Sequence, residues 1–285
     1  MSDAFGPSEK DAAAFCADLV RNRDRARYVA DLLSPMEHRR ALTALHAFNV
    51  EITDVAIHVS QPMAGEVRLQ WWHDALSGQE HGDVVANPVA AELRRAVARY
   101  ALPTEPLLNL IDAHQRDLYA DPMASVSELH TYCDDTVGNL FDAAALILGA
   151  SGDSAKALAH SAGMAQGLTA VMAALPAHGA RGQIYLPADM LSAFGVDPDD
   201  VLARRATPQL VALLSELRDQ AGRHLDATEA ALREQPATVC AGFLTLALTR
   251  ATLELLSKSG ADPFAPAALS RLRTLWLLWR ASRAG

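Results

Sequence analysis

Apolar residues recur three and four positions apart in almost every segment between glycine and proline breakers, and the period-two alternation that marks a half-buried strand is missing. The pattern predicts an all-α chain. Its clearest stretch runs from Ser34-Pro35 through Glu37, Arg39 and Arg40 into Ala41, Leu42, Leu45, Phe48 and Ile52. Pro35 suits a first helical turn, and Leu45, Phe48 and Ile52 share one face of a helix that extends to about His58. Further helices are predicted at about 64–77, 88–101, 104–119, 125–149, 154–175, 207–234, 236–258 and 266–282, each bounded by Gly, Pro, Asp or Ser. Ser77 to Pro88 and Gly260 to Pro266 read as surface connections, and Pro176 to Pro187 as a longer loop ending in Ile184-Tyr185-Leu186. The expectation is one domain over residues 1–285, with its core at about 20–258 and a basic amphipathic helix at 263–285.

Composition narrows the function classes. Half of the 285 residues are apolar, enough for a substantial core, and the formal charge of -9 opposes a nucleic-acid partner. Cys16, Cys133 and Cys240 are far apart and form no CxxC pair, which fits a reducing compartment and neither a disulfide framework nor a zinc site. The first ten residues carry Asp3, Glu9 and Lys10 and resemble neither a secretory signal nor a transit peptide, and no apolar run reaches the length of a membrane span. The expected location is cytoplasmic, with a peripheral position at the inner membrane as its variant.

The ten histidines supply no HExxH and no HxxxH. His73-Asp74 with His81-Gly82-Asp83 reads as a loop without ligand geometry, and GxSxG, P-loop and GxGxxG motifs are missing. No metal site is expected. Carboxylates remain. Asp112 and Asp117 share a predicted helix, but five residues turn it by about 500°, leaving the side chains about 140° apart. Asp117 and Asp121 match DxxxD, yet Pro122 implies that the helix has ended by then, so a solvated helix end is the simpler reading. Asp135, Asn139 and Asp142 form a polar stripe on an otherwise apolar helix, lining either a cavity or the solvent.

Two aromatic and basic features stand apart. The doublet Trp71-Trp72 places one ring toward the core and the other partly outside, so core packing and a partner hot spot both fit. The last segment carries Arg271, Arg273, Arg280 and Arg283 with no acid, and Leu272, Leu275, Trp276 and Trp279 at helical spacing. It fits an anionic membrane surface, a protein partner or ordinary docking on the core. Trp72, Arg273, Trp276 and Arg280 are the candidates for a partner or membrane surface.

Four stretches in order resemble the squalene and phytoene synthase family. They are Leu33-Ser34-Pro35 with Arg39-Arg40-Ala41 and Leu45-His46-Ala47-Phe48, Asn109 to Leu118, Glu128 to Gly138 with Tyr132-Cys133, and Gly182-Gln183-Ile184-Tyr185-Leu186-Pro187. The resemblance implies an all-α isoprenoid-synthase fold in which two Asp-rich motifs hold Mg²⁺ against prenyl diphosphates. Here both motifs are degenerate. The first reads Ala47-Phe48-Asn49-Val50-Glu51-Ile52-Thr53-Asp54, keeping one aspartate, and the second reads Leu168-Thr169-Ala170-Val171-Met172-Ala173-Ala174-Leu175-Pro176, keeping no acid. Small apolar side chains hold no hard cation, and Pro176 ends the helix early.

This pattern resembles the family's non-catalytic branch of complex I assembly factors. It implies a protein that acts by binding, without a cofactor, toward a protein partner, a membrane surface or an isoprenoid or lipid ligand. The alternative is a Mg²⁺-dependent prenyltransferase with Asp54, Asp112 and Asp117 as vestigial ligands and Arg39 and Arg40 near the phosphates. Asp135, Asn139, Asp142 and Tyr185 are the candidates for lining a cavity.

Overall fold

A computed structural model describes residues 9–59, 61–79, 84–258 and 262–283. His81, Gly82 and Asp83 lie outside them. Sixteen α-helices are described: α1 (Glu9–Arg23), α2 (Arg25–Leu33), α3 (Met36–His58), α4 (Pro62–Ser77), α5 (Pro88–Tyr100), α6 (Glu105–Ala113), α7 (Val126–Cys133), α8 (Asn139–Ile147), α9 (Asp153–Ala173), α10 (Leu175–Ala180), α11 (Ala188–Phe194), α12 (Pro198–Leu202), α13 (Pro208–Leu232), α14 (Ala237–Cys240), α15 (Leu246–Leu256) and α16 (Arg271–Ala281). The described residues contain no strand, as the periodicity requires.

The core gathers around two helices. α3 packs against α1, α5 and α8, burying Leu45, Phe48 and Ile52 on the single face that the spacing predicts. Each such side chain contributes roughly 2 kcal/mol of burial. Trp72 closes this layer edge-on to Phe48, with ring centroids 5.3 Å apart. α9 organises the second layer with α13, α15 and α8, where Phe141 and Phe243 stack at 5.1 Å.

Local chemistry sets the starts of several elements. Ser125 and Glu128 form a reciprocal cap on α7: Glu128 N donates to Ser125 Oγ, and Ala124 N donates to Glu128 Oε2. Asn87, Thr207 and Ser270 cap α5, α13 and α16 by accepting from first-turn N–H groups alone.

Three departures from the regular pattern shape the site. α6 tightens into a 3₁₀ turn at His114–Leu118, and α7 joins α8 through one turn of π-helix at Asp134–Gly138. The expected loop after residue 175 instead begins as α10, with Pro176 in its first turn, where a missing N–H costs no intrahelical bond. The stretch predicted as 236–258 breaks into α14, a 3₁₀ turn at Ala241–Phe243 and α15. His73 and Asp74, expected in a loop, lie on α4.

Close backbone approach fixes α9 against the π turn. A Cβ on Gly163 would meet Gly138 Cα at 2.4 Å, and one on Gly167 would meet Cys133 Sγ at 2.7 Å. Glycines four residues apart on one face of α9 therefore let it sit directly on the π turn and the end of α7.

Candidate functional site

Between α3, the π turn and α9 lies a cavity of about 300 Å³, at the lower end of the range for small-molecule sites. α3 contributes Asn49, Thr53, Ala56 and Ile57. α9 contributes Gln166, Gly167, Ala170 and Val171, continued by Ala174, while Tyr132, Thr136, Val137 and Leu140 come from the π turn and its flanks. Arg27 and Arg181 also lie on the lining.

The polar end of the cavity is built on Asp117. The 3₁₀ turn after α6 brings its carboxylate inward, leaving it 13% exposed. Tyr185 Oη donates to Oδ1 at 2.5 Å, Tyr132 Oη lies 3.0 and 3.2 Å from the two oxygens, and His114 Nδ1 donates to Oδ2 at 2.6 Å. Burial alone would push this carboxyl up. The His114 charge and the hydrogen bonds from His114, Tyr185 and Tyr132 overcome burial and hold it below its ordinary value. Burial, reinforced by Asp117, pushes the phenols of Tyr132 and Tyr185 well above their usual range, so both stay protonated.

The Gly182 to Pro187 segment carries Tyr185 into this cluster. Gly182 adopts φ +69°, a left-handed turn that a side chain would strain. Gln183 Nε2 donates to the carbonyls of Asp117 and Tyr119 at 2.9 and 3.2 Å, clamping the segment onto the 3₁₀ turn. Arg181 Nε in turn donates to Gln183 Oε1 at 3.0 Å.

His178 completes the wall. Its ring stacks on Tyr185 with centroids 4.1 Å apart, and its buried Nδ1 has no hydrogen-bond partner. Burial and the nearby Arg181 charge lower its pKa to about 4, so it is neutral at pH 7 and offers one hydrogen-bonding nitrogen to whatever enters.

The other residues singled out in the sequence fall elsewhere. Asp54 points away from the cavity to Arg23, at 2.7 Å. Asp112 is exposed and accepts from Gln115 Nε2 at 3.2 Å. Asp54, Asp112 and Asp117 are therefore not assembled, and among the described residues no group of three His, Cys, Asp or Glu side chains converges in ligand geometry. Arg39 Nε donates to the Ser34 carbonyl at 2.7 Å, and Arg40 makes a two-point contact with buried Glu92 at 2.6 and 2.9 Å. Neither reaches the cavity, because a helix-end carbonyl and a buried carboxylate already hold them.

Asp135, Asn139 and Asp142 do not line the cavity. The wide π turn shifts the phase of the helix, so that Tyr132, Thr136, Val137 and Leu140 face inward, while Asn139 Nδ2 donates to the Pro106 carbonyl at 3.0 Å. Tyr185 and Asp117 do line it. Trp72 is only 3% exposed and offers no surface to a partner, since its ring is core to both α4 and α3. His114, Tyr132 and His178 were not singled out as site residues, although His114 and Asp117 at i, i+3 carry the spacing that lets them meet.

This donor set does not suit a Mg²⁺ cluster. A hard cation needs several free oxygen ligands, and the facing walls supply amides, one hydroxyl and apolar groups. The cavity's one carboxylate already accepts from three donors. What the arrangement can do is bind: an apolar wall with a polar end in which Tyr132, Tyr185 and His178 gather around Asp117.

Comparison with known proteins places this geometry. The squalene/phytoene synthase family matches residues 20–280. The rat protein named NADH dehydrogenase (ubiquinone) complex I, assembly factor 6, is 32% identical over 266 residues, covering 93% of this chain and 80% of that protein. A phytoene synthase of Thermus thermophilus is 29% identical over 203 residues, covering 71% of this chain and 68% of that enzyme. Among solved structures, a dehydrosqualene synthase in complex with ligand superposes with a TM-score of 0.79 at 19% identity over 97% of both chains. The squalene synthase of Alicyclobacillus acidocaldarius gives 0.70 at 23% identity, covering 97% of this chain and 95% of that one. These structural likenesses place the helices in the isoprenoid-synthase arrangement, and by the match across nearly its whole length the chain belongs to the squalene/phytoene synthase family.

Proposed function

We propose that this chain is a non-catalytic member of its family that acts by binding, in the assembly of respiratory complex I. The observation that carries the reading is the composition of the cavity walls. Where prenyl-transfer chemistry would need facing carboxylates, α3 presents Asn49, Thr53, Ala56 and Ile57, and α9 presents Gly167, Ala170 and Val171. The near full-length similarity to proteins named complex I assembly factor 6 supports the biological context. In this reading the partners are a complex I component and the membrane at which that complex is built, and the cavity takes an isoprenoid or lipid without transforming it. Among the described residues no single helix is long and apolar enough to cross a membrane.

Two measurements test the proposal. Calorimetric titration of farnesyl diphosphate with Mg²⁺ is expected to show no Mg²⁺-dependent binding, and Asp54→Ala to behave as the unmodified chain. Mg²⁺-dependent condensation of prenyl diphosphates would overturn the non-catalytic reading. Deleting the gene in its source organism is expected to lower assembled complex I on native gels, with Asp54→Ala restoring it, whereas unchanged complex I would overturn the assembly role.

A further inference from the structure

The outer face of α16 has no part in the cavity and is not explained by packing. At about 100° per residue, Leu272, Trp276, Trp279 and Arg283 fall within an arc of about 60°. Leu277 and Leu278 lie on the opposite side and are buried, and the helix docks on α2 and α15. The outward stripe is 81% exposed at Leu272, 50% at Trp276 and 52% at Trp279. These are large apolar side chains left in water on a helix whose docking needs are already met on its other face.

The charge along this segment is of one sign. From Ser270 to Arg283 there are four arginines and no acid, in a chain whose formal charge is -9. Arg280 lies over the Trp276 ring at 4.7 Å and Arg283 over Trp279 at 5.7 Å. Arg273 leans toward Glu254 at 3.7 Å. Among the described residues no carboxylate pairs with Arg271, Arg280 or Arg283. Guanidinium groups stacked on half-exposed indoles join a phosphate-binding donor fork to an amphipathic ring, the combination suited to the headgroup layer of a bilayer.

We infer that the Leu272–Trp276–Trp279 stripe of α16, with Arg271, Arg280 and Arg283, docks this protein peripherally on an anionic lipid surface. Charge complementarity selects this occupant. A second copy in a two-fold contact would set the same arginines against each other, a like-charge juxtaposition that costs several kcal/mol. The stripe also has Arg283 within it and Arg280 beside it, so that indoles enter the headgroup layer while guanidiniums meet phosphates at the same depth. None of these residues lines the Asp117 cavity; the inference rests on the membrane part of the proposed function, and vesicle binding is read separately from the complex I level that tests the assembly role.

The test is sedimentation of the full chain with vesicles of phosphatidylcholine alone and with added phosphatidylglycerol, across a salt series. Binding is expected only with the anionic lipid, falling as salt rises. Each outward arginine changed to Gln should weaken binding about fivefold, so Arg271→Gln with Arg280→Gln should weaken it about 25-fold. Trp276→Ala with Trp279→Ala should abolish it while leaving the circular dichroism spectrum unchanged. On the unmodified chain, brominated lipid should quench tryptophan emission, a readout that needs no variant. Equal binding to both vesicle types, no binding to either, or wild-type binding by both double variants would overturn the inference. So would a dimer that dissociates in the Trp276→Ala/Trp279→Ala chain, since it would place a second copy on this face.

Discussion

Two regions border the same cavity and have opposite electrostatic character. The α3 and α9 walls carry no charge at the inward positions Thr53, Ala56, Ala170 and Val171, whereas the 3₁₀ turn keeps an ionised Asp117 on the same lining. The difference lies in what each carboxylate would need. Asp117 is neutralised within the fold by His114, Tyr132 and Tyr185, and its charge is stable without any visitor. Clustered carboxylates on the facing walls would depend on bound cations, and without those their desolvation and mutual repulsion would burden the folded state. The negative charge that survives in this cavity is the one whose partners are supplied by the chain.

The largest effect should come from breaking the self-sufficient side. Asp117→Ala strands three buried donors and is expected to lower unfolding stability by about 3 kcal/mol, measured as a shift of the urea midpoint at constant slope. Stability equal to that of the parent chain would mean that the tetrad is not a structural unit.

Next comes pH. His178 binds its proton at about pH 4 when folded and near its ordinary value of 6.5 when unfolded. Between these values the unfolded chain holds more protons, so stability rises with pH across this window and falls on acidification. The loss from pH 6.5 to 4 should be on the order of 2 kcal/mol from this residue. His178→Phe, which keeps a ring against Tyr185, should flatten that part of the profile. Asp117 acts in a lower window: its depressed folded pKa contributes stability above its unfolded value, which is lost as pH falls through the folded one. A profile that keeps its full slope in His178→Phe would assign the effect to other histidines, such as His224, whose pKa burial also lowers.

The smallest effect sharpens the contrast from outside the cavity. Asp54 sits in a solvent-facing pair with Arg23, and Asp54→Ala should leave the urea midpoint within experimental error. A clear loss would mean that the vestigial aspartate has acquired a structural role.

The helical architecture was legible because apolar spacing follows the period of an α-helix whatever the partners are. The face of α3 that buries Leu45, Phe48 and Ile52 could be drawn from spacing alone. The site was legible only where it depended on which residue types are present, as in the missing acid at Ala174. Its geometry rests on two departures from the ideal period. The 3₁₀ turn rotates Asp117 inward, and the π turn removes Asp135 and Asn139 from the face that a regular helix would have given them. α1, α2 and α10 to α12 were not predicted. α10 to α12 have only five to seven residues each, too few for periodicity to register. Arg39 and Arg40 show the same limit: a paired arginine and a free one read alike until Glu92, fifty-two residues away in sequence, is seen to hold one of them.

The contact of Gly163 with Gly138 carries a consequence for how such a protein can diverge. What seats α9 is backbone against backbone, a requirement met by hydrogen atoms in place of side chains and indifferent to the residues one turn along on the cavity wall. The inward face of α9 is thus free to accumulate substitutions while the helix keeps its seat. A lineage could exchange reactive chemistry for recognition by changing one row of side chains, at little cost to folding, and the seat of α9 would show no trace of the change.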